Sequence, residues 1–215
     1  MNKKPLKPDV SEIMRLLAES YPQVQTALQY RTTFELLLAV ILSAQTTDRQ
    51  VNTITAGLFP MIKEGPPAVL AMGQENLEKA IKSCGLYRQK SRQIMETCRL
   101  LVEQYGKEVP STREDLMLLP GVGRKTANII LSTAFGVPAL GVDTHVMRVS
   151  RRLGLAVGKN ARNIEDELCK IIPPFLWGET HHRLIAHGRA ICRAPKPMCI
   201  KCPLAANCIF YLDNQ

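Results

Sequence analysis

With 46% hydrophobic and 22% charged residues over 215 positions, the chain can bury a full core as one large domain or two small ones, which excludes a disordered protein. A formal net charge of +9 favours a polyanionic partner, either nucleic acid or an acidic membrane surface. No apolar run approaches the roughly 20 residues of a membrane span, and Met1–Asp9 lacks the apolar core of a secretory signal, so an intracellular, cytoplasmic protein is expected.

After a Pro-punctuated start, Ile13, Leu16 and Leu17 give residues 10–20 a helical spacing that Tyr21-Pro22 ends. Residues 33–43 are nearly all apolar, which predicts a helix buried on most sides and central to the core. The polar stretch Ala44-Gln45-Thr46-Thr47-Asp48 follows, and its Thr or Asp can cap a helix running through Val51, Ile54 and Leu58. Gly65-Pro66-Pro67 breaks that pattern. A short helix is expected over 76–83, closed by Gly85 in a left-handed conformation, with Leu86-Tyr87 left in the connection. Residues 89–105 read as an amphipathic helix whose basic side carries Lys90, Arg92 and Arg99, stopped by Gly106. Ser111 or Thr112, with Glu114 and Asp115, starts another short helix.

That helix leads into Leu119-Pro-Gly-Val-Gly-Arg-Lys125-Thr-Ala-Asn128, where two glycines and two cations stand at a helix start. Helix N-termini favour acidic residues, so Arg124 and Lys125 break a local rule, which is a common mark of a functional site. The hairpin Gly121-Val122-Gly123 can bring backbone N–H groups close to an anion, and the helix start favours phosphate. The same field opposes protonation of Lys125 and so favours a nucleophilic amine. The plain alternative is a turn with two solvated cations. Asp143-Thr144 caps the next helix, which carries Arg148, Arg151 and Arg152, and two more helices are expected over 161–172 and 176–192. A helix from 124 advances about 16 Å by residue 135, and seven extended residues span up to roughly 23 Å, so the connection permits Asp143 to return towards Lys125. No alternating strand pattern occurs, and the expected class is all-α.

Seven cysteines in an unsecreted chain argue against a disulfide framework. Cys84, Cys98 and Cys169 lie singly in helical patterns and read as small buried hydrophobes. Cys192, Cys199, Cys202 and Cys208 cluster with Cys-x6-Cys-x2-Cys-x5-Cys spacing, which predicts metal binding; zinc and a four-iron cluster both accept four thiolates. Arg193 and Lys196 lie inside the first loop and Lys201 in the second, where a metal knot could hold them towards a phosphate backbone.

Ser43–Asp48 (SAQTTD), Gly85–Tyr87 (GLY), Leu119–Ala127 (LPGVGRKTA), Val142–His145 (VDTH) and the four spaced cysteines together resemble the endonuclease III-type DNA glycosylases of the helix-hairpin-helix superfamily. The motifs run through nearly the whole chain in family order. The resemblance implies a six-helix domain over 27–137 packed against a domain of 1–26 and 138–215, with DNA in the cleft between. It also implies a [4Fe-4S] cluster on Cys192, Cys199, Cys202 and Cys208. By motif, Lys125 is the amine that attacks C1′ of a damaged nucleotide and Asp143 the assisting carboxylate. Gln45 and Leu86 match residues that enter the duplex gap and wedge the opposite strand, and Gly121, Gly123, Arg193 and Lys196 are expected at the DNA. The implied protein is a monomeric bifunctional glycosylase and abasic-site lyase acting on oxidised pyrimidines in duplex DNA, with no membrane partner. Two other readings compete: a non-catalytic helix-hairpin-helix module with a structural metal site, and an adenine-mismatch glycosylase, which usually lacks the lysine and adds a C-terminal domain.

Overall fold

A computed structural model of the chain describes residues 8–214, so the Pro-punctuated start and the first residues of the expected 1–26 segment lie outside the described residues. Every regular element among the described residues is helical, and no helix there is long and apolar enough to cross a membrane. The chain divides into two compact units, one formed by Thr26–Val137 and the other by residues up to Gln25 together with Pro138 onwards.

The continuous unit is built around α2 (Thr33–Leu42), in which Phe34 and the seven residues Leu36–Leu42 are all buried. Thr32 starts it by accepting a hydrogen bond from the Glu35 amide at 3.1 Å. Around it pack α3 (Asp48–Leu58), α6 (Tyr87–Gln104) and α8 (Arg124–Ala134). Thr47 caps α3, and Thr112 caps α7 (Arg113–Leu118). Two short helices, α4 (Pro66–Met72) and α5 (Gln74–Ala80), fill the stretch between.

Two expectations for this unit need correction, and one helix was not expected. Gly65-Pro66-Pro67 does end the preceding pattern, and Pro66 then starts α4, where its missing N–H costs nothing and its fixed φ already suits a helix. The helix expected over 76–83 begins and ends earlier, and the left-handed residue beyond it is Leu86 (φ 58°), not Gly85. Lys90 is not on a basic face of α6 but is only 2% exposed.

The discontinuous unit combines α1 (Val10–Ser20), α9 (Thr144–Leu153), α10 (Ala161–Ile171), α11 (Trp177–Ala190) and the short α12 (Ile209–Leu212). Its core gathers Ile13 and Leu17 of α1 with Val146, Val149 and Leu153 of α9, Ile164 and Leu168 of α10, and Leu184 of α11. Asp9 and Asn160 cap α1 and α10 through their side chains. At the end of α9, Gly154 has φ 78°, and a Cβ there would stand 2.1 Å from Ile209 Cδ1. Only glycine both turns the chain and lets α12 lie this close.

Candidate functional site

The cation-bearing hairpin forms as the sequence suggests, but its two glycines do different work. Gly121 adopts φ 82°, and a Cβ there would come within 3.1 Å of Gln93 Oε1, so both backbone and space call for glycine. Thr97 Oγ1 donates to the Pro120 carbonyl at 3.1 Å and the Val122 amide to Leu119 O at 3.0 Å, fixing the turn against α6. Gly123 has an ordinary extended backbone (φ −89°, ψ 175°), and an added Cβ would meet no atom within 4 Å. It is the N-cap of α8, no side chain caps that helix, and its first turn holds no acidic residue. The first-turn amides therefore face an exposed surface beside the exposed Lys125, a ready anion site.

Gln45 and Leu86 sit on two neighbouring loops of the same unit. Both are exposed and left-handed, with φ of 55° and 58°; the third such non-glycine, Lys107, closes the C-terminus of α6. This backbone costs a side-chain-bearing residue about 1–2 kcal/mol, and it persists where surrounding structure dictates it. The loops touch: Thr46 Oγ1 lies 3.3 Å from Cys84 Sγ, Gln50 Nε2 donates to Ser83 Oγ at 2.9 Å, and a Cβ on Gly85 would stand 3.4 Å from the Gln45 carbonyl oxygen.

In the discontinuous unit, Asp143 caps α9, its Oδ1 accepting from the Val146 amide at 2.8 Å, and it remains half-buried. Buried His181 approaches the Gly141 carbonyl at 2.7 Å and so fixes the approach to that cap. His145 Nδ1 lies 3.1 Å from Arg148 Nη2; burial lowers its pKa against the opposing pull of Asp143. Lys125 and Asp143 belong to different units.

All four clustered cysteines line one small, partly open cavity together with Arg152, His187, Met198 and Phe210. Among the described residues, no three His, Cys, Asp or Glu side chains converge as a single ion would need. Four sulfur donors on one cavity suit either a tetrahedral zinc or a four-iron cluster. Burial pushes the Cys202 thiol up to about 11, with Cys208, Cys192 and Cys199 acting in the same direction against the Leu204 backbone. Burial likewise raises Cys208. Binding as thiolates would therefore call for a metal's positive charge.

Sequence reading missed the groups that hold this cavity. Arg152 Nη1 donates to Arg193 O at 2.7 Å and approaches Cys192 Sγ at 3.4 Å, while its Nη2 donates to Ala194 O at 3.0 Å. Its guanidinium also lies 4.7 Å from the centre of the Phe210 ring. Arg148 Nε donates to Cys192 O at 3.0 Å. His187 stands between Tyr21 Oη, 3.2 Å from its Nδ1, and Cys202 Sγ, 3.6 Å from its Nε2. These anchors leave Arg193 and Lys196 exposed at the rim of the 193–198 loop.

The HhH-GPD superfamily of base excision DNA repair proteins matches residues 38–174. Endonuclease III of Escherichia coli (strain K12) is 47% identical over 197 residues, spanning 92% of this chain and 93% of that protein. A trapped endonuclease III–DNA covalent intermediate aligns with TM-score 0.89 and 46% identity, covering 95% of this chain and 97% of that one. A non-covalent endonuclease III–DNA complex aligns with TM-score 0.90 at the same identity, covering 95% and 96%. The matched span exceeds half of the chain and the likeness to endonuclease III extends through almost all of it, so the chain belongs to the HhH-GPD superfamily of base-excision DNA repair proteins and is of the endonuclease III type.

Proposed function

We propose that this chain is a bifunctional DNA glycosylase and abasic-site lyase that removes oxidised pyrimidines from duplex DNA. The observation that carries the reading is Lys125, exposed in the first turn of a helix whose capping position is left open by Gly123. The hairpin amides take a phosphate, and the amine beside them attacks C1′ of the damaged nucleotide. The C1′–N bond breaks, the base leaves with the bonding pair, and the amine gives up a proton. The sugar ring then opens at C1′–O4′, with O4′ protonated, to leave an iminium that acidifies C2′; loss of that proton and expulsion of the 3′ phosphate nick the strand, and water later hydrolyses the protein–DNA link. Asp143, fixed by its cap bond, is the assisting carboxylate for the first step. Gln45 fills the vacated stack and Leu86 wedges the opposite strand, roles suited to exposed side chains on rigid, left-handed turns.

Residues 27–137 serve as the helix-hairpin-helix domain, and 1–26 with 138–215 as the cluster domain. Cys192, Cys199, Cys202 and Cys208 hold a [4Fe-4S] cluster, a reading supported by the cavity they share and by the likeness to endonuclease III. When bound, the cluster cross-links the last segment through iron–thiolate bonds and holds Arg193 and Lys196 towards the DNA backbone. The protein works as a DNA-associated intracellular monomer.

Duplexes carrying one lesion each, scored separately for base release and strand nicking, test the reading. Borohydride should trap a protein–DNA adduct at Lys125, and Lys125→Gln should lose both steps and the adduct while keeping lesion binding. Trapping that persists in Lys125→Gln would remove the catalytic role from this residue.

A further inference from the structure

Lys90 reads as a surface cation of an amphipathic helix, yet it is 2% exposed. Burying such a head group is costly unless its hydrogens are paired, and an apolar residue would pack there more cheaply. Its Nζ donates to the Leu42 carbonyl at 2.8 Å and to Thr46 Oγ1 at 3.0 Å, and lies 3.0 Å from Cys84 Sγ. Three contacts match the three N–H donors a lysine head can offer.

The placement of those partners gives the contact its meaning. Leu42 is the last residue of α2, and Thr46 directly follows Gln45. Cys84 precedes Leu86 by two residues, and Leu86 O accepts the Lys90 amide at 3.0 Å as α6 begins. One side chain thus reaches both loops that carry a left-handed non-glycine residue at an exposed tip. We propose that Lys90 is a positioning residue that staples these loops together and holds Gln45 and Leu86 at one fixed spacing before any duplex arrives. This rests on the reading of Gln45 and Leu86 as the residues that enter DNA. Two side chains inserted on opposite strands must arrive in register, and ordering them in the free protein removes that entropic cost from the encounter.

The test uses the full-length protein carrying Lys90→Met, which keeps an unbranched stem one atom shorter and removes every N–H donor of the head group. Hydrogen exchange of the free protein should accelerate at least tenfold in 43–47 and 83–87 together, the Thr46 and Cys84 amides serving as reporters, while 36–42 stays within twofold. On DNA, base release from a lesion duplex should fall at least tenfold more than nicking of a preformed abasic site, because only base release requires extrusion of a stacked base. If Lys90→Met does not fold, Lys90→Gln decides: it leaves the direct Thr46–Cys84 contact intact but is too short to reach both loops, so exchange should again rise in 43–47 and 83–87 together. Exchange that is unchanged, or faster in one loop alone, overturns the staple. A proportional fall in both reaction steps overturns its role in extrusion. Coupled exchange in a wild-type protein that leaves lesion duplexes untouched would keep the staple and refute the DNA reading on which its purpose rests.

Discussion

Exchanging the two hairpin glycines separates folding from DNA binding. Gly121 is left-handed, and alanine there incurs about 1–2 kcal/mol of backbone strain and forces Gln93 to yield, since its Oε1 lies 3.1 Å from the new Cβ. For a chain of this size Gly121→Ala should lower the unfolding midpoint by roughly 2–8 °C. Gly123→Ser has the opposite logic. Serine is a better N-cap by a few tenths of a kcal/mol (about 0.3), the backbone is already extended, and the new side chain meets no atom, so stability should hold or rise. Its Oγ would then accept from the Lys125 or Thr126 amide, the donors offered to phosphate. One lost charge-assisted contact is worth about 1.5–3 kcal/mol, a roughly 10- to 150-fold rise in Kd for duplex holding an abasic-site analogue. Fluorescence anisotropy at fixed salt measures it, since salt alone shifts such affinities steeply. Gly123→Ser protein that is stable and binds as tightly as wild type would refute the claim that these amides hold a phosphate.

Purified protein should be yellow-brown and contain iron and inorganic sulfide; elemental analysis finding stoichiometric zinc in their place would overturn the cluster assignment. Cys202→Ser should lower soluble yield and DNA binding, because thiolate ligation couples folding of the last segment to the metal. Gly154→Ala should destabilise the discontinuous unit by about 2 kcal/mol or more, since it combines a left-handed alanine with a clash against Ile209; an unchanged melting curve would show that α12 can move aside at no cost. Burial lowers the pKa of His182, so between the ordinary histidine value of about 6.5 and its lower folded value the unfolded chain binds more protons. Stability from this group is complete above that window and is lost as pH falls through it. His182→Gln should therefore flatten the acid-side decline of the unfolding midpoint, and parallel curves for variant and wild type would rule the group out.

Three helix starts were legible from one side chain, since Thr47, Thr112 and Asp143 cap the helices that follow; Asp9, Thr32 and Asn160 cap theirs in the same way, though sequence reading assigned them no cap. The break at Gly65-Pro66-Pro67 was read correctly, but not the helix it begins, because proline breaks a helix from inside and starts one from its first position. Gly85 drew the left-handed assignment that Leu86 carries, since local preference puts glycine in such a turn and only packing between two loops can impose it on leucine. Lys90 was invisible for a related reason, as its partners Leu42 and Thr46 lie 48 and 44 residues away. The cysteine spacing picked out the four thiols that line one cavity, but the groups around them, Arg152, His187 and Tyr21, come from α9, α11 and the end of α1, and no local pattern joins them.

The interrupted path of the discontinuous unit also sets an order of events during synthesis. The 26–137 unit is one unbroken stretch and can finish folding while the rest of the chain is still being made. Ile13 and Leu17, in contrast, find their partners only after Pro138, 118 residues beyond Ser20. At ribosomal speeds of about 5–20 residues per second, α1 waits roughly 6–24 s with its apolar stripe uncovered, a window in which a chaperone can hold it. The four clustered cysteines follow the hairpin in the chain, so they are made only after Lys125 and its turn can already be in place.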